Sequence, residues 1–211
     1  MGNDAATDPM DQPWTSGFFK QPMSGIVAVG RTNLAGDEQA DLVNHGGPDK
    51  AVCVYSAAHY PFWEHELGIA PLPFGAFGEN LTISTLTEHD LCIGDVWEIG
   101  DTQFQVSQPR QPCWKLGRRW RIQNLPARVI QQGFTGWYFR VRREGQICVG
   151  LPLRLIDRPL PQWPIARANE LFYHRKHEVA ANAEAAALEQ LAESWRSAFR
   201  KRTESNRDVR K

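Results

Sequence analysis

Short runs of β-branched and aromatic residues recur through the first three quarters of this chain, each bounded by Gly, Pro, Asn or Asp, and that pattern limits the folds open to it. Strand character is found over residues 25–30, 51–55, 96–99, 102–106, 137–142, 146–149 and 153–156, with a further turn-to-strand junction at 77–83. Such a set, about seven or eight short strands at irregular spacing with helical stretches between them, predicts a closed or nearly closed β-barrel and not a doubly wound sheet. Neither a dinucleotide fingerprint nor a P-loop sequence is present. Two hairpins are expected, one across Gly100-Asp101 and one around Glu144-Gly145. Ser56 can cap a helix running to Leu67, with Tyr60, Trp63 and Leu67 at helical spacing and Pro61 in its first turn. Two more short helices are expected over 116–123 and 125–132, the second with Pro126 near its start.

Composition divides the chain into four parts. Residues 1–17 are rich in Asp, Gln, Pro and Gly and read as a disordered leader. Residues 18–157 carry the barrel pattern. From Arg158 the prolines at 159, 161 and 164 predict a stiff linker into a helical unit that extends to residue 202, followed by a basic tail over 203–211. Within that unit Leu188, Leu191, Trp195 and Phe199 form an apolar stripe, read as core in preference to a partner site.

The formal net charge is zero, but the charge is unevenly distributed. Between Ser107 and Arg143 there are nine Lys or Arg residues (110, 115, 118, 119, 121, 128, 140, 142 and 143) and no Asp or Glu. This run implies an anionic partner close by. The four cysteines are 39, 21 and 35 residues apart with no C-x-x-C pair, so neither a zinc knuckle nor a disulfide framework is indicated and a reducing, cytoplasmic setting is expected. No apolar run approaches the roughly 20 residues of a membrane span. Cys53, Cys92 and Cys148 are flanked by Val, Leu, Ile and Ala and read as small buried hydrophobes.

Cys113 differs. Pro109 and Pro112 deny the backbone donors that a helix or strand interior needs, so this thiol is expected on a stiff, extended loop at the end of a strand. Arg110 precedes it by three residues and Lys115 follows it by two, a setting that favours thiolate chemistry and suits a soft or high-valent metal.

Four segments together carry a resemblance: His45-Gly46-Gly47-Pro48-Asp49-Lys50-Ala51, Gly78-Glu79-Asn80-Leu81-Thr82, Pro109-Arg110-x-Pro112-Cys113 and Gly136-Trp137-Tyr138-x-Arg140-Val141. In this order and spacing they resemble the MOSC domain, named for the C-terminal part of molybdenum-cofactor sulfurase. The likeness extends to the bacterial 6-hydroxylaminopurine-resistance proteins, which append a three-helix unit. The resemblance implies a β-barrel that binds a pterin-dithiolene molybdenum cofactor, with Cys113 as the protein's metal ligand. It also implies two-electron, two-proton reduction of N-hydroxylated compounds to amines with release of water, a detoxifying activity. On that basis Arg110, Lys115 and Arg140 are candidates to neutralise the cofactor's charge, and Asn80 and Thr82 to donate neutral hydrogen bonds. His45, whose imidazole titrates near neutrality, is the candidate proton donor. The expected partners are a small N-hydroxylated substrate and a separate electron-donating reductase, since the chain has no flavin, nicotinamide or iron–sulfur signature of its own; a homodimer is compatible. Three alternatives share these residues: a sulfur carrier with a persulfide on Cys113, a cofactor-binding protein without turnover, and a nucleic-acid-binding barrel, the last disfavoured by the neutral total charge.

Overall fold

The computed structural model describes residues 5–8, 10–38 and 46–208, with side chains through residue 205. Its centre is a curled six-stranded sheet, and the eight strands are β1 (Val27–Val29), β2 (Val52–Ser56), β3 (Leu81–Ile83), β4 (Val96–Ile99), β5 (Thr102–Pro109), β6 (Trp137–Arg143), β7 (Gly145–Ile147) and β8 (Leu153–Asp157). The sheet order is β3-β2-β6-β5-β4-β8, while β1 and β7 form a separate antiparallel ribbon. The β4–β5 hairpin turns at Gly100-Asp101 as expected, but β5 runs on to Pro109. Strands β2 and β3 are parallel, which requires a crossover. A 3-10 turn over Ala57–His59 and helix α1 (Tyr60–Leu67) supply it, with Ser56 Oγ accepting from the Ala58 amide at 3.2 Å.

One expected pairing is corrected. Residues 137–142 and 146–149 do not form a hairpin, because β6 is already bonded to β2 on one edge and β5 on the other. The chain instead continues through Gly145, where Asp101 Oδ1 stands 2.3 Å from the position a Cβ would occupy and accepts a 2.7 Å bond from the Gln146 amide. Only glycine fits so close an approach, and it redirects the chain to pair β7 with β1.

The core has two parts. Alternate residues of the strands, Val52 and Val54, Phe104 and Val106, Trp137, Phe139 and Val141, face a cluster that also includes Trp163, Ile165, Leu171, Leu191, Trp195 and Phe199 from the C-terminal unit. That unit is α4 (Ile165–Tyr173), α5 (Val179–Ala186) and α6 (Glu193–Asp208), following α2 (Trp114–Trp120) and α3 (Leu125–Gln132) of the barrel domain. The second cluster joins Tyr55, Tyr60, Trp63 and Phe77 to Leu116, Leu125 and Val129. Leu191, Trp195 and Phe199 are buried as the stripe requires, although Leu188 and Leu191 lie between α5 and α6.

Residues 158–164 are stitched to the sheet domain instead of spanning free space. Arg158 clasps the fully buried Asp95 at 2.7 Å, Ile93 donates to the Trp163 carbonyl at 2.8 Å, and Ile165 donates to that of Leu91 at 2.9 Å. Three prolines therefore fix the direction of a docked segment. No helix among the described residues is long and apolar enough to cross a membrane.

Because Trp195 is 1% exposed and lies in the cluster shared by sheet and helices, Trp195→Ala is expected to lower the unfolding free energy by about 3–5 kcal/mol in a urea titration. A loss below about 1 kcal/mol would mean that the helical unit is not part of the sheet's core.

Candidate active site

β5 aims the cysteine loop. Its ladder with β6 reaches Pro109 opposite Trp137, and the Arg110 amide then donates to the Gly136 carbonyl at 3.0 Å. Ser107 Oγ lies 2.6 Å from the Asp49 carbonyl and 3.0 Å from that of Tyr138, so the strand end is also fixed to the turn before β2. Pro109 ends the strand at a position where a missing amide costs no bond. Gln111 and Pro112 then bring the chain to Cys113, which is half-buried and extended (φ −107°, ψ 167°) at the N-cap of α2.

Cys113 opens on a cleft lined by residues 16–18, Lys20, Asp37, Glu38, Lys50, Cys53, Gly78, Asn80, Arg110, Gln111, Lys115 and Tyr138. Of the sequence candidates, the structure brings together Cys113, Arg110, Lys115 and Asn80. Arg110 is buried and Lys115 half-buried, its ammonium 5.9 Å from the Trp114 ring. Asn80 is partly committed already: Oδ1 accepts from the Cys53 amide at 2.9 Å and Nδ2 donates to Asp37 at 2.7 Å. Thr82 does not line the cleft; its hydroxyl donates to Glu79 at 3.1 Å. Nor does Arg140, which binds Asp49 and Gln105 and reaches the Gln190 carbonyl at 2.9 Å, linking the β2 approach, β5 and the helical unit. His45 lies outside the described residues.

Glu79 shapes one wall. It is buried and accepts from the amides of Gly75 and Phe77, both at 3.0 Å, from Thr82 and from the Tyr60 hydroxyl. The loop it organises presents Gly78, at φ +80°, to the ring of Phe18, which stands 2.6 Å from where a Cβ would sit. Phe18 directly follows residues 1–17, the segment expected to be a disordered leader. Residues 11–20 lie along α2: Arg121 pairs with Asp11 at 2.6 Å, Arg118 donates to the Gln12 carbonyl at 3.1 Å, Trp14 packs on Trp114 at 5.7 Å, and Arg119 donates to the Phe18 carbonyl at 3.1 Å. Arg121 also holds the Asp11 carboxyl below its ordinary range. Lys20 is ion-paired to Asp37.

Sequence reasoning missed Cys53 and Tyr138. They face each other across the β2–β6 pairing, on the side of the sheet opposite Val52, Val54 and Phe139. A period-two reading places them together, but every residue of β2 is buried, so its sequence shows no polar alternation. Burial raises the Cys53 pKa above its ordinary 9.0, with Arg110 pulling the other way. Burial and then the neighbouring Cys53 raise that of Tyr138, and burial likewise raises those of Tyr55 and Tyr60.

These shifts fix a sign. A group whose folded pKa is raised contributes stability below its unfolded value and loses it as pH rises towards the folded one. The Tm is therefore expected to fall progressively above about pH 9, where the unfolded thiol and then the unfolded phenols ionise. Cys53→Ala and Tyr138→Phe should flatten that alkaline decline in thermal melts; an unchanged slope in both would contradict the assignment.

Residues 41–154 match the family model for the MOSC domain, and residues 163–206 match that for the YiiM-like 3-alpha helix domain. The chain is 47% identical to "Uncharacterized protein YflK" of Bacillus subtilis over 89% of its own length and 84% of the relative's. It is 36% identical to a protein of Gibberella moniliformis named "Reductase" over 82% of its length, and there it spans only 31% of the relative. Among solved structures, YiiM from Geobacillus stearothermophilus superposes with a TM-score of 0.80 at 41% identity, covering 89% of each chain.

Proposed function

The chain belongs to the MOSC-domain family and carries that family's YiiM-like helical unit; from the cleft at Cys113 we propose that it is a molybdenum-cofactor-dependent oxidoreductase that reduces N-hydroxylated compounds to amines. The observation that carries this reading is a half-buried thiol beside a buried guanidinium, whose Nη1 has no hydrogen-bond partner among the described residues, in one cationic cleft. The fungal relative's name, "Reductase", supports redox chemistry, and a separate protein is the proposed electron source.

The residues present fit a pterin-dithiolene molybdenum cofactor in donor chemistry. Its phosphate would meet Arg110, Lys20, Lys50 and Lys115, and Cys113 would supply a soft sulfur to the metal. When bound, this group supplies an electron pair for N–O cleavage. The balance is R–NHOH + 2 e⁻ + 2 H⁺ → R–NH₂ + H₂O, so the chain must deliver protons. His45 is the proposed proton donor; Lys50, five residues after it, lines the cleft. The Tyr138 hydroxyl, hydrogen-bonded to the Cys53 sulfur, lines the cleft and adds no negative charge beside an anionic ligand at neutral pH. Phe18 and Gly78 form an apolar wall that keeps water from the Arg110 side.

Protein from a cofactor-competent host provides the test. Wild type is expected to carry molybdenum and to turn over 6-hydroxylaminopurine with an electron donor. Cys113→Ser should lose at least about 100-fold in kcat/KM with an unchanged circular dichroism spectrum, because a half-buried loop thiol contributes little packing. Retained turnover in the variant would refute the assignment. A sulfane sulfur on Cys113 in metal-free protein would favour the sulfur carrier instead.

A further inference from the structure

Both backbone polar groups of Gly136 lead to helix α4. Its amide donates to Glu88 Oε1 at 2.6 Å, and the Glu88 carbonyl accepts from the Ala166 amide, in the first turn of α4, at 2.8 Å. Its carbonyl accepts twice, from the Arg110 amide at 3.0 Å and from the Thr135 hydroxyl at 2.9 Å. Thr135 is fully buried, and Asn169 Nδ2 of α4 donates to its oxygen at 2.7 Å. A hydroxyl carries one proton, so an amide donating to the oxygen leaves that proton for the Gly136 carbonyl. The bond that starts the Cys113 loop is thus backed from α4 through a chain of two side chains.

Asn169 is 4% exposed, and its Oδ1 has no hydrogen-bond partner among the described residues. Burying half of an amide unsatisfied costs stability that an apolar side chain of similar size would keep. One helical turn further along the same face, the Tyr173 hydroxyl is hydrogen-bonded to the side chain of Gln111, which stands between Arg110 and Cys113. At the start of α6 the Ala192 amide donates to the Ser107 carbonyl at 2.9 Å and Ser194 Oγ to Gln108 Oε1 at 3.3 Å, both on the strand that leads into the loop. With prolines at 109 and 112 the loop has few amides with which to hold itself, and these ties come from outside it.

We infer that the three-helix unit is the back support of the Cys113 loop, with Asn169 and Tyr173 as positioning residues that act through Thr135 and Gly136 and through Gln111 to set the Arg110 guanidinium against the Cys113 thiol. Asn169, Thr135 and Tyr173 do not themselves line the cleft. This role goes beyond the proposed reduction and holds whichever partner the thiol takes.

The test reads Cys113 in the metal-free full chain. Alkylation at Cys113 is timed by peptide mass spectrometry with iodoacetate, an anion, and with iodoacetamide, which is neutral. The ratio of the two rates reports the cation beside the thiol. Relative to glutathione, wild type is expected to favour iodoacetate, because Arg110 lies within electrostatic reach of Cys113. Thr135→Val and Asn169→Leu should each lower the ratio at least about threefold, while Thr135→Ser, which keeps the hydroxyl, should retain it. Asn169→Leu should do so with little loss of Tm, since it also removes an unsatisfied acceptor. Tyr173→Phe should lower the ratio less. Leu171→Ala, on the same helix but packed in the apolar core, should lower Tm and leave the ratio unchanged. If Asn169→Leu lacks a native circular dichroism spectrum, Thr135→Val and Tyr173→Phe decide. The support role is overturned if wild type shows no preference for iodoacetate, if Thr135→Val and Tyr173→Phe both keep the wild-type ratio, if Thr135→Ser falls as far as Thr135→Val, or if Leu171→Ala moves the ratio as far as they do, which would reduce the helices to general stability. No metal enters the measurement, so finding no molybdenum in cofactor-competent protein would remove the reductase reading and leave this result standing.

Discussion

The ladder between β5 and β6 runs to Pro109 opposite Trp137, and one further bond, from the Arg110 amide to the Gly136 carbonyl, decides where everything near Cys113 can lie. Because β6 is held on its other edge by β2, the same pairing sets Tyr138 opposite Cys53 and puts both beside the guanidinium. Strand register thus controls side-chain chemistry here: a slip by one residue would exchange Tyr138 for Trp137 or Phe139 and replace a hydroxyl in the cleft with an indole or a phenyl ring. Gly136 is itself secured by Glu88, whose other oxygen is bonded to His59, so the loop's anchor reaches back to the crossover helix region.

Arg142 stays exposed, and the other eight cations of the basic run have two fates. Arg118, Arg119 and Arg121 hold residues 11–20 along α2, and Arg128, Arg140 and Arg143 pair with Glu66, Asp49 and Glu98. Six of the nine cations are thereby engaged within the chain, which removes most of the open positive face that a nucleic-acid partner would need. Arg110 and Lys115 remain on the cleft, joined there by Lys20 and Lys50 from distant parts of the sequence. Counting charge along a chain locates cations, but their availability depends on acidic partners contributed by other elements.

Much of this architecture is written in local pattern. The β4–β5 hairpin, the Ser56 cap, helix α3 and the proline-bounded position of Cys113 all follow from short-range rules, and the structure contains each of them. The failures are long-range. The pairing of β7 with β1 depends on Asp101 crowding Gly145, two residues 44 apart, and no spacing rule reports that contact. Residues 11–17 fall in the stretch whose composition reads as a disordered leader, yet Asp11 and Gln12 are held by arginines more than a hundred residues away. Arg140 belongs to a recognisable motif but serves to bind Asp49 and the helical unit, whereas Tyr138, two residues before it, lines the cleft. Motif membership puts these residues in one neighbourhood without saying which of them lines the cleft.

Taken together, the cleft sets a buried guanidinium and lysine side chains beside a half-buried thiol. Whether that thiol ligates a metal can be read from the metal's own coordination. Molybdenum K-edge X-ray absorption on cofactor-loaded wild type and Cys113→Ser should show one fewer sulfur scatterer in the variant, with an oxygen or nitrogen neighbour in its place. An identical sulfur count in the two proteins would mean that Cys113 does not bind the metal, and the active site described here would have to be drawn around different residues.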